Sequence, residues 1–151
     1  MRELEHTTDI QAPAATVWQV LAATEQYDQW NPFIPRLVGA LRVGQRLTVT
    51  IRVGRRTMTF RPIVEALDAG NLIRWRGRLL LPGLFDGEHE LRVEATGRET
   101  SRFTQRETFR GILVPLLGRI LDQTDTGFAA MNAALRARAT NLATRTTRTP
   151  R

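Results

Sequence analysis

Apolar positions in the last third of the chain recur at three- and four-residue steps. Leu117, Ile120, Leu121, Thr124, Gly127, Phe128, Met131, Ala134 and Leu135 therefore share one face of an α-helix of about six turns. The helix is expected from Pro115 to about Arg138, fraying through Arg145. Upstream the period is two: Leu4, His6, Thr8 and Ile10 alternate with Glu3, Glu5, Thr7 and Asp9, the pattern of a half-buried strand. Ala12 and Pro13 close that strand, and Val17, Trp18, Val20 and Leu21 carry a short helical stripe through Ala23, with Trp18 in the core. Thr24 can cap a second short helix, which ends near Trp30 because the Asn31-Pro32 step disfavours helical geometry.

From Arg36 onward, glycine- and proline-containing turns centred on Gly44, Gly54, Gly70, Pro82 and Gly97 separate six further strands. These are expected at about 36 to 42, 46 to 53, 57 to 67, 72 to 80, 86 to 96 and 100 to 110. Short connections make them antiparallel. Seven strands must bury their inner face on one long helix, so the pattern predicts an α+β protein: a curved sheet wrapped around the C-terminal helix.

Two strands show which side is wet. Ile73, Trp75, Gly77 and Leu79 alternate with Arg74, Arg76 and Arg78, while Gly87, His89, Leu91 and Val93 alternate with Asp86, Glu88, Glu90 and Glu94. Arginines on one strand then face acids on the next, each pair contributing roughly 0.2 to 1 kcal/mol on the solvent face. The last strand departs from this division. If Phe103 and Phe109 point inward, the pleat carries Gln105 and Glu107 inward with them. A hairpin centred on Arg98 sets Glu107 opposite His89, which places an imidazole and a carboxylate together on the concave face.

Composition narrows the function classes. At 151 residues the chain fits one domain, expected over residues 1 to 139, with residues 140 to 151 forming a basic disordered tail of little apolar content. No run is long and apolar enough to span a bilayer and no signal-peptide order appears, so a cytoplasmic protein is expected. Without cysteine there is no disulfide framework, thiolate nucleophile or Cys-based metal site. Two histidines at positions 6 and 89 lack metal-site spacing, so neither metal nor cofactor is expected. The lone serine, Ser101, lacks nucleophile-elbow glycines, and no phosphate-binding glycine loop is present. All 22 basic residues are arginines against 15 acids, a formal charge of +7. They are scattered among acids rather than interleaved with aromatics, which argues against nucleic acid; peripheral membrane contact has no dedicated motif.

The segments APAATVWQVLAATEQYDQWNPF, GLFDGEHELRV, FTQRETFRG and GFAAMNAALRARA, in this order and spacing, resemble the SRPBCC superfamily of START-like and Bet v 1-like proteins, including polyketide cyclase/dehydrase and lipid-transport members. The resemblance runs from Thr8 to Arg138. It implies a helix-grip fold, with a seven-stranded antiparallel sheet around a long C-terminal helix, two short helices after the first strand, and an apolar cavity between sheet and helix. It also implies binding of a hydrophobic small molecule, such as a lipid, quinone or polyketide-like compound, with catalysis in some branches only.

Candidate ligand contacts follow. His89 and Glu107 can serve as an acid/base pair on a bound carbonyl in a cyclase or dehydratase, or can simply satisfy each other. Gln105 shares their face, Trp75 is inward by period, and Met58 and Phe60 face the same way as Leu47, Val49 and Ile51. Trp30, Asn31 and Phe33 are placed by the resemblance at the cavity rim, where Trp30 and Asn31 can contact a ligand or, alternatively, Trp30 packs the corner and Asn31 caps a backbone turn. Small residues Thr124 and Gly127 at the helix waist, flanked by Phe128 and Met131, are read as leaving room for a ligand. Gly127 costs the helix about 1 kcal/mol relative to alanine. A third reading is a non-enzymatic interaction protein with a basic surface.

Overall fold

Both sheets of this protein close on its last helix. The computed structural model describes residues 1–79 and 81–148. In chain order these form β1 (Arg2–Ile10), α1 (Ala14–Ala22), a 3-10 turn (Thr24–Gln29), β2 (Arg36–Val38), β3 (Thr48–Val53), β4 (Arg56–Phe60), β5 (Ile63–Asp68), β6 (Leu72–Arg78), β7 (Asp86–Ala95), β8 (Ser101–Arg110), a second 3-10 turn (Val114–Leu117) and α2 (Gly118–Arg148). Every strand pairing is antiparallel.

Among the described residues the strands number eight in two sheets, ordered β1-β8-β7-β6-β5 and β2-β3-β4, which corrects the expected single sheet of seven. The run expected at 57 to 67 breaks at Arg61-Pro62 because Pro62 has no N–H to give to a ladder. Its carbonyl instead accepts from the Leu47 amide at 2.8 Å, and Val64 donates to the Gln45 carbonyl at 2.9 Å, so the sheets meet along a short seam. The strand expected at 36 to 42 stops at Val38. Gly39 has φ of 121°, and a Cβ there would lie 3.0 Å from Leu47 Cδ2, so the chain turns at a position suited to glycine.

In α2, Leu121, Thr124, Phe128, Met131, Asn132, Leu135 and Ala139 are buried, close to the face the pattern defined. The helix runs on to Arg148, so residues 140 to 148, expected as disordered tail, are helical. Leu142 and Ala143 pack on the core and prolong the apolar stripe past Ala139. Leu80 and residues 149–151, the ends of two expected elements, lie outside the described residues. Polar contacts fix α2 against the sheet's edge strand. His6 Nε2 lies 2.9 Å from Asp125 Oδ1, and Asn132 Nδ2 donates to the His6 carbonyl at 3.2 Å and to Thr8 Oγ1 at 3.1 Å.

On the convex face the arginine rungs of β6 meet the acids of β7: Arg74 with Glu90 at 3.7 Å, Arg76 with Glu88 at 2.7 Å and Arg78 with Asp86 at 3.8 Å. Arg76 also reaches Glu65 on β5 at 3.2 Å, so it spans three strands. Its hydrogen bond holds the Glu88 carboxyl below the usual carboxylate range, against the smaller opposing effect of partial burial. Both side chains are more than a third exposed, so solvent screening limits the contribution to about 1 kcal/mol or less. A depressed carboxyl contributes above its unfolded value, near 4.5, and its contribution is lost as pH falls through the folded value. Arg76→Met should therefore lower stability near neutrality by up to about 1 kcal/mol. In urea titrations the penalty should shrink toward about pH 3; an equal penalty at both pH values would assign it to packing instead.

Candidate functional site

Register across the large sheet sorts the concave residues into rows. Val64, Trp75, His89, Glu107 and Leu4 stand in one row from β5 to β1. One step deeper lie Ile73, Leu91, Gln105 and His6; one step the other way lie Gly77, Gly87 and Phe109. The pleat thus sets polar side chains in two adjacent rows, His89 and Glu107 in one and Gln105 and His6 in the next, with a pair of glycines on the other side.

His89 Nδ1 lies 3.1 Å from Glu107 Oε2, and Gln105 Nε2 lies 3.1 Å from His89 Nε2. With the Gln105 amide donating, Nε2 of the ring accepts, and the ring proton sits on Nδ1, where it donates to the Glu107 carboxylate. Gln105 also points its amide at Met131 Sδ, 3.5 Å away. The imidazole is enclosed: Trp75 stacks on it at 5.0 Å between centroids and 13° between planes, and Phe128 meets it edge-on at 5.2 Å. Only 4% of the His89 side chain is exposed against 16% for Glu107, so the carboxylate is the polar end that reaches free space. Gly87 makes its position possible, since a Cβ there would lie 2.8 Å from Glu107 Oε1.

That free space is a hollow between the sheets and α2, with about 110 Å³ of internal volume, or about 860 Å³ when all space open to solvent at its mouth is counted. The internal volume is smaller than the roughly 300 to 1,000 Å³ usual for ligand pockets. Of the residues expected at a ligand, Phe33, Met58, Phe60, Trp75, His89, Glu107 and Thr124 line it. Thr124 spends its hydroxyl on the Ile120 carbonyl at 2.8 Å and contributes mainly its methyl. Gly77, Leu79, Phe85, Gly87 and Phe109 also line it. Apart from Phe85, which lay outside the expected strands, their inward phase was visible in the two-residue alternation, but nothing in the pattern separated a wall from a packed core.

The other expected contacts stand outside the lining, each for a physical reason. Trp30 packs edge-on against Tyr27 at 5.2 Å, and the buried Tyr27 hydroxyl donates to the Leu21 carbonyl at 2.6 Å, where burial pushes the phenol's pKa up. Asn31 Oδ1 accepts from the Phe33 and Ile34 amides at 3.0 and 2.8 Å, so it shapes the turn that delivers both side chains to the hollow. Gln105, Phe128 and Met131 form the layer behind His89. Gly127 was read as room for a ligand, but a Cβ there would lie 2.4 Å from Phe33 Cδ2: the Phe33 ring occupies that space, held edge-on by Phe128 at 5.2 Å.

Among the described residues no three His, Cys, Asp or Glu side chains converge as metal ligands, and no helix is long and apolar enough to cross a membrane. What the site offers is a mostly apolar hollow with one carboxylate, ordered from behind by an imidazole and an amide, and with Arg78, paired with Asp86, also in its lining.

A long helix gripped by curved antiparallel sheet, with a hollow between them, defines a class of START-like and Bet v 1-like proteins. The chain belongs to the family described as polyketide cyclase/dehydrase and lipid transport, whose model matches residues 1–147. Among solved structures it is similar to the ZhuI aromatase/cyclase from Streptomyces sp. R1128, at 19% identity, TM-score 0.71, covering 97% of this chain and 96% of that one. A START superfamily protein from Mycobacterium smegmatis is similar at 18% identity and TM-score 0.71, covering 93% and 98%. The di-domain ARO/CYC BexL of the BE-7585A biosynthetic pathway is similar at 21% identity and TM-score 0.72, covering 91% of this chain and 46% of BexL, so this chain spans about half of that protein. Curated protein sequences yield no match to this chain.

The Gly127 contact generates a double-mutant test. Gly127→Ala should destabilise the protein by about 1 to 3 kcal/mol through overpacking against Phe33. In a Phe33→Ala background the same change should be neutral or stabilising, because alanine is the better helix former by about 1 kcal/mol. Thermal melts of the four proteins read the coupling, and additive penalties would show that the Phe33 ring is not what Gly127 accommodates.

Proposed function

We propose that this protein binds a predominantly apolar small molecule of the lipid, quinone or polyketide-like kind, with its hydrophobic body in the hollow and a hydroxyl at Glu107. The observation that carries the reading is the carboxylate itself: Oε2 takes the His89 hydrogen bond, and Oε1 lies over the bare backbone of Gly87 in a mostly apolar wall, whose other charged lining residue, Arg78, pairs with Asp86. A desolvated carboxylate is costly unless something donates to it. His89 supplies one donor, at Oε2; a ligand hydroxyl supplies a second at Oε1 and fixes which end enters first. The internal volume, about 110 Å³, suits one ring or a short acyl segment. For comparison, an engineered apolar cavity of about 150 Å³ accepts benzene.

A second reading, catalysis of the cyclase or dehydratase type, is favoured by the hydrogen-bond series from Gln105 through His89 to Glu107. In it Glu107 removes a proton from carbon beside a bound carbonyl, and His89 holds the carboxylate in place. The family description and the aromatase/cyclase names of two similar structures point the same way.

Titration of delipidated protein with 1-naphthol tests the binding role. Glu107→Gln should weaken binding about tenfold, the loss of one charge-assisted hydrogen bond, and leave naphthalene, which has no hydroxyl, unaffected. Equal affinity of variant and parent for 1-naphthol would remove Glu107 from the site. For the second reading, Glu107→Gln should slow ring closure of a linear poly-β-ketone by about 10² to 10⁴-fold, and unchanged turnover would discard it.

A further inference from the structure

The mouth of the hollow can be located from exposure. Phe33, Ile34, Val49, Phe85 and Leu121 are buried, whereas Ile51, Met58, Leu79, Leu117 and Ile120 are half-exposed. The open side therefore lies between the β3–β4 hairpin, the β6–β7 loop and the start of α2. The β6–β7 loop is laced to the connection that leads from β8 into α2, with the Ile112 amide donating to the Gly83 carbonyl at 3.1 Å and the Leu113 amide to the Leu84 carbonyl at 3.0 Å. Gly111 permits the lacing, since a Cβ there would lie 2.3 Å from the Leu84 carbonyl oxygen. The β3–β4 hairpin approaches α2 at Gly54, where a Cβ would lie 3.0 Å from Gln123 Nε2.

The laced loops turn large apolar side chains outward: Leu81 is 66% exposed, Ile112 73% and Leu116 78%. None of the three lines the hollow. Around them arginines outnumber acids. Residues 52–61, 78–86 and 110–122 hold four, one and two arginines against two acids, Asp86, which pairs with Arg78, and Asp122, which pairs with Arg2. Arg119 follows Leu116 by three residues, and Arg110 precedes Ile112 by two. Apolar side chains standing out from loop tips need no matching pocket to be buried, only a fluid apolar layer, and the arginines behind them would meet anionic headgroups.

We propose that this end of the molecule docks on an anionic lipid bilayer, inserting Leu81, Ile112 and Leu116 at the headgroup boundary with the mouth of the hollow facing the membrane. The proposal goes beyond ligand binding in the hollow and does not depend on Glu107.

Flotation of the full chain with vesicles tests it. Binding is expected to phosphatidylcholine vesicles containing phosphatidylglycerol at low salt, and not to pure phosphatidylcholine. The double variant Ile112→Glu, Leu116→Glu should lose at least tenfold in binding, by removal of the apolar anchors and addition of repulsive charge. Arg119→Gln should lose about fivefold. Arg98→Glu, which changes net charge as much as the double variant but sits on the β7–β8 hairpin at the opposite end of those strands, should bind like the parent. All four positions are exposed, so unchanged circular dichroism should accompany these results. Failure to float with anionic vesicles at low salt, or a double variant that floats like the parent, would overturn the proposal. So would concentration-dependent dimerisation abolished by the double variant, which would assign the patch to a second copy of the chain.

Discussion

β8 cannot bury Phe103 and Phe109 without also turning Gln105 and Glu107 inward. A strand has no slack in this respect: a one-residue slip would send all four to solvent. The ten-rung pairing of β8 with β7 then fixes their neighbours, setting Glu107 beside His89 and Gln105 beside Leu91. Buried polar groups are costly unless paired, and each member of the series supplies part of the remedy. Glu107 accepts from His89, His89 accepts from Gln105, and Trp75 covers the ring that joins them. One Gln105 oxygen remains buried without a partner. The arrangement is thus held by the two phenylalanines that bracket it at least as much as by its own hydrogen bonds.

Two glycines show how the same absence of a side chain serves opposite ends. At Gly87 the missing Cβ lets a carboxylate lie at the surface of the hollow. At Gly127 it lets an aromatic ring in, and the space is filled. The difference comes from Asn31, whose side chain caps two successive amides and thereby directs Phe33 at α2.

Much of this was legible in local pattern. The inward face of α2, the acidic and basic rungs of β6 and β7, and the meeting of His89 with Glu107 all follow from periods of 3.6 and 2 and one hairpin length. What the pattern obscured depended on contacts between distant segments. Phe33 reaches Gly127 across the molecule, and no periodicity records that. The alternation on either side of Pro62 hid the break between β4 and β5, although the proline was a visible warning. The last turns of α2 look too polar to order alone, yet Ala139, Leu142 and Ala143 keep the helical spacing and find the core. Whether an inward residue lines a hollow or fills a core is set by the sum of side-chain volumes on three walls, a quantity that no single strand carries.

The break at Pro62 bears on how the hollow can change size. Its two walls are separate hydrogen-bonded sheets, and among the described residues no ladder joins β4 to β5. The seam at Gln45 to Leu47 and Pro62 to Val64 acts as a line of attachment, like the spine of a book. Opening the covers a little separates apolar side chains such as Met58 and Phe60 from α2, while leaving every rung of both ladders intact. A change in the girth of the hollow would therefore be met by side-chain packing between β4 and α2 rather than by the backbone ladders.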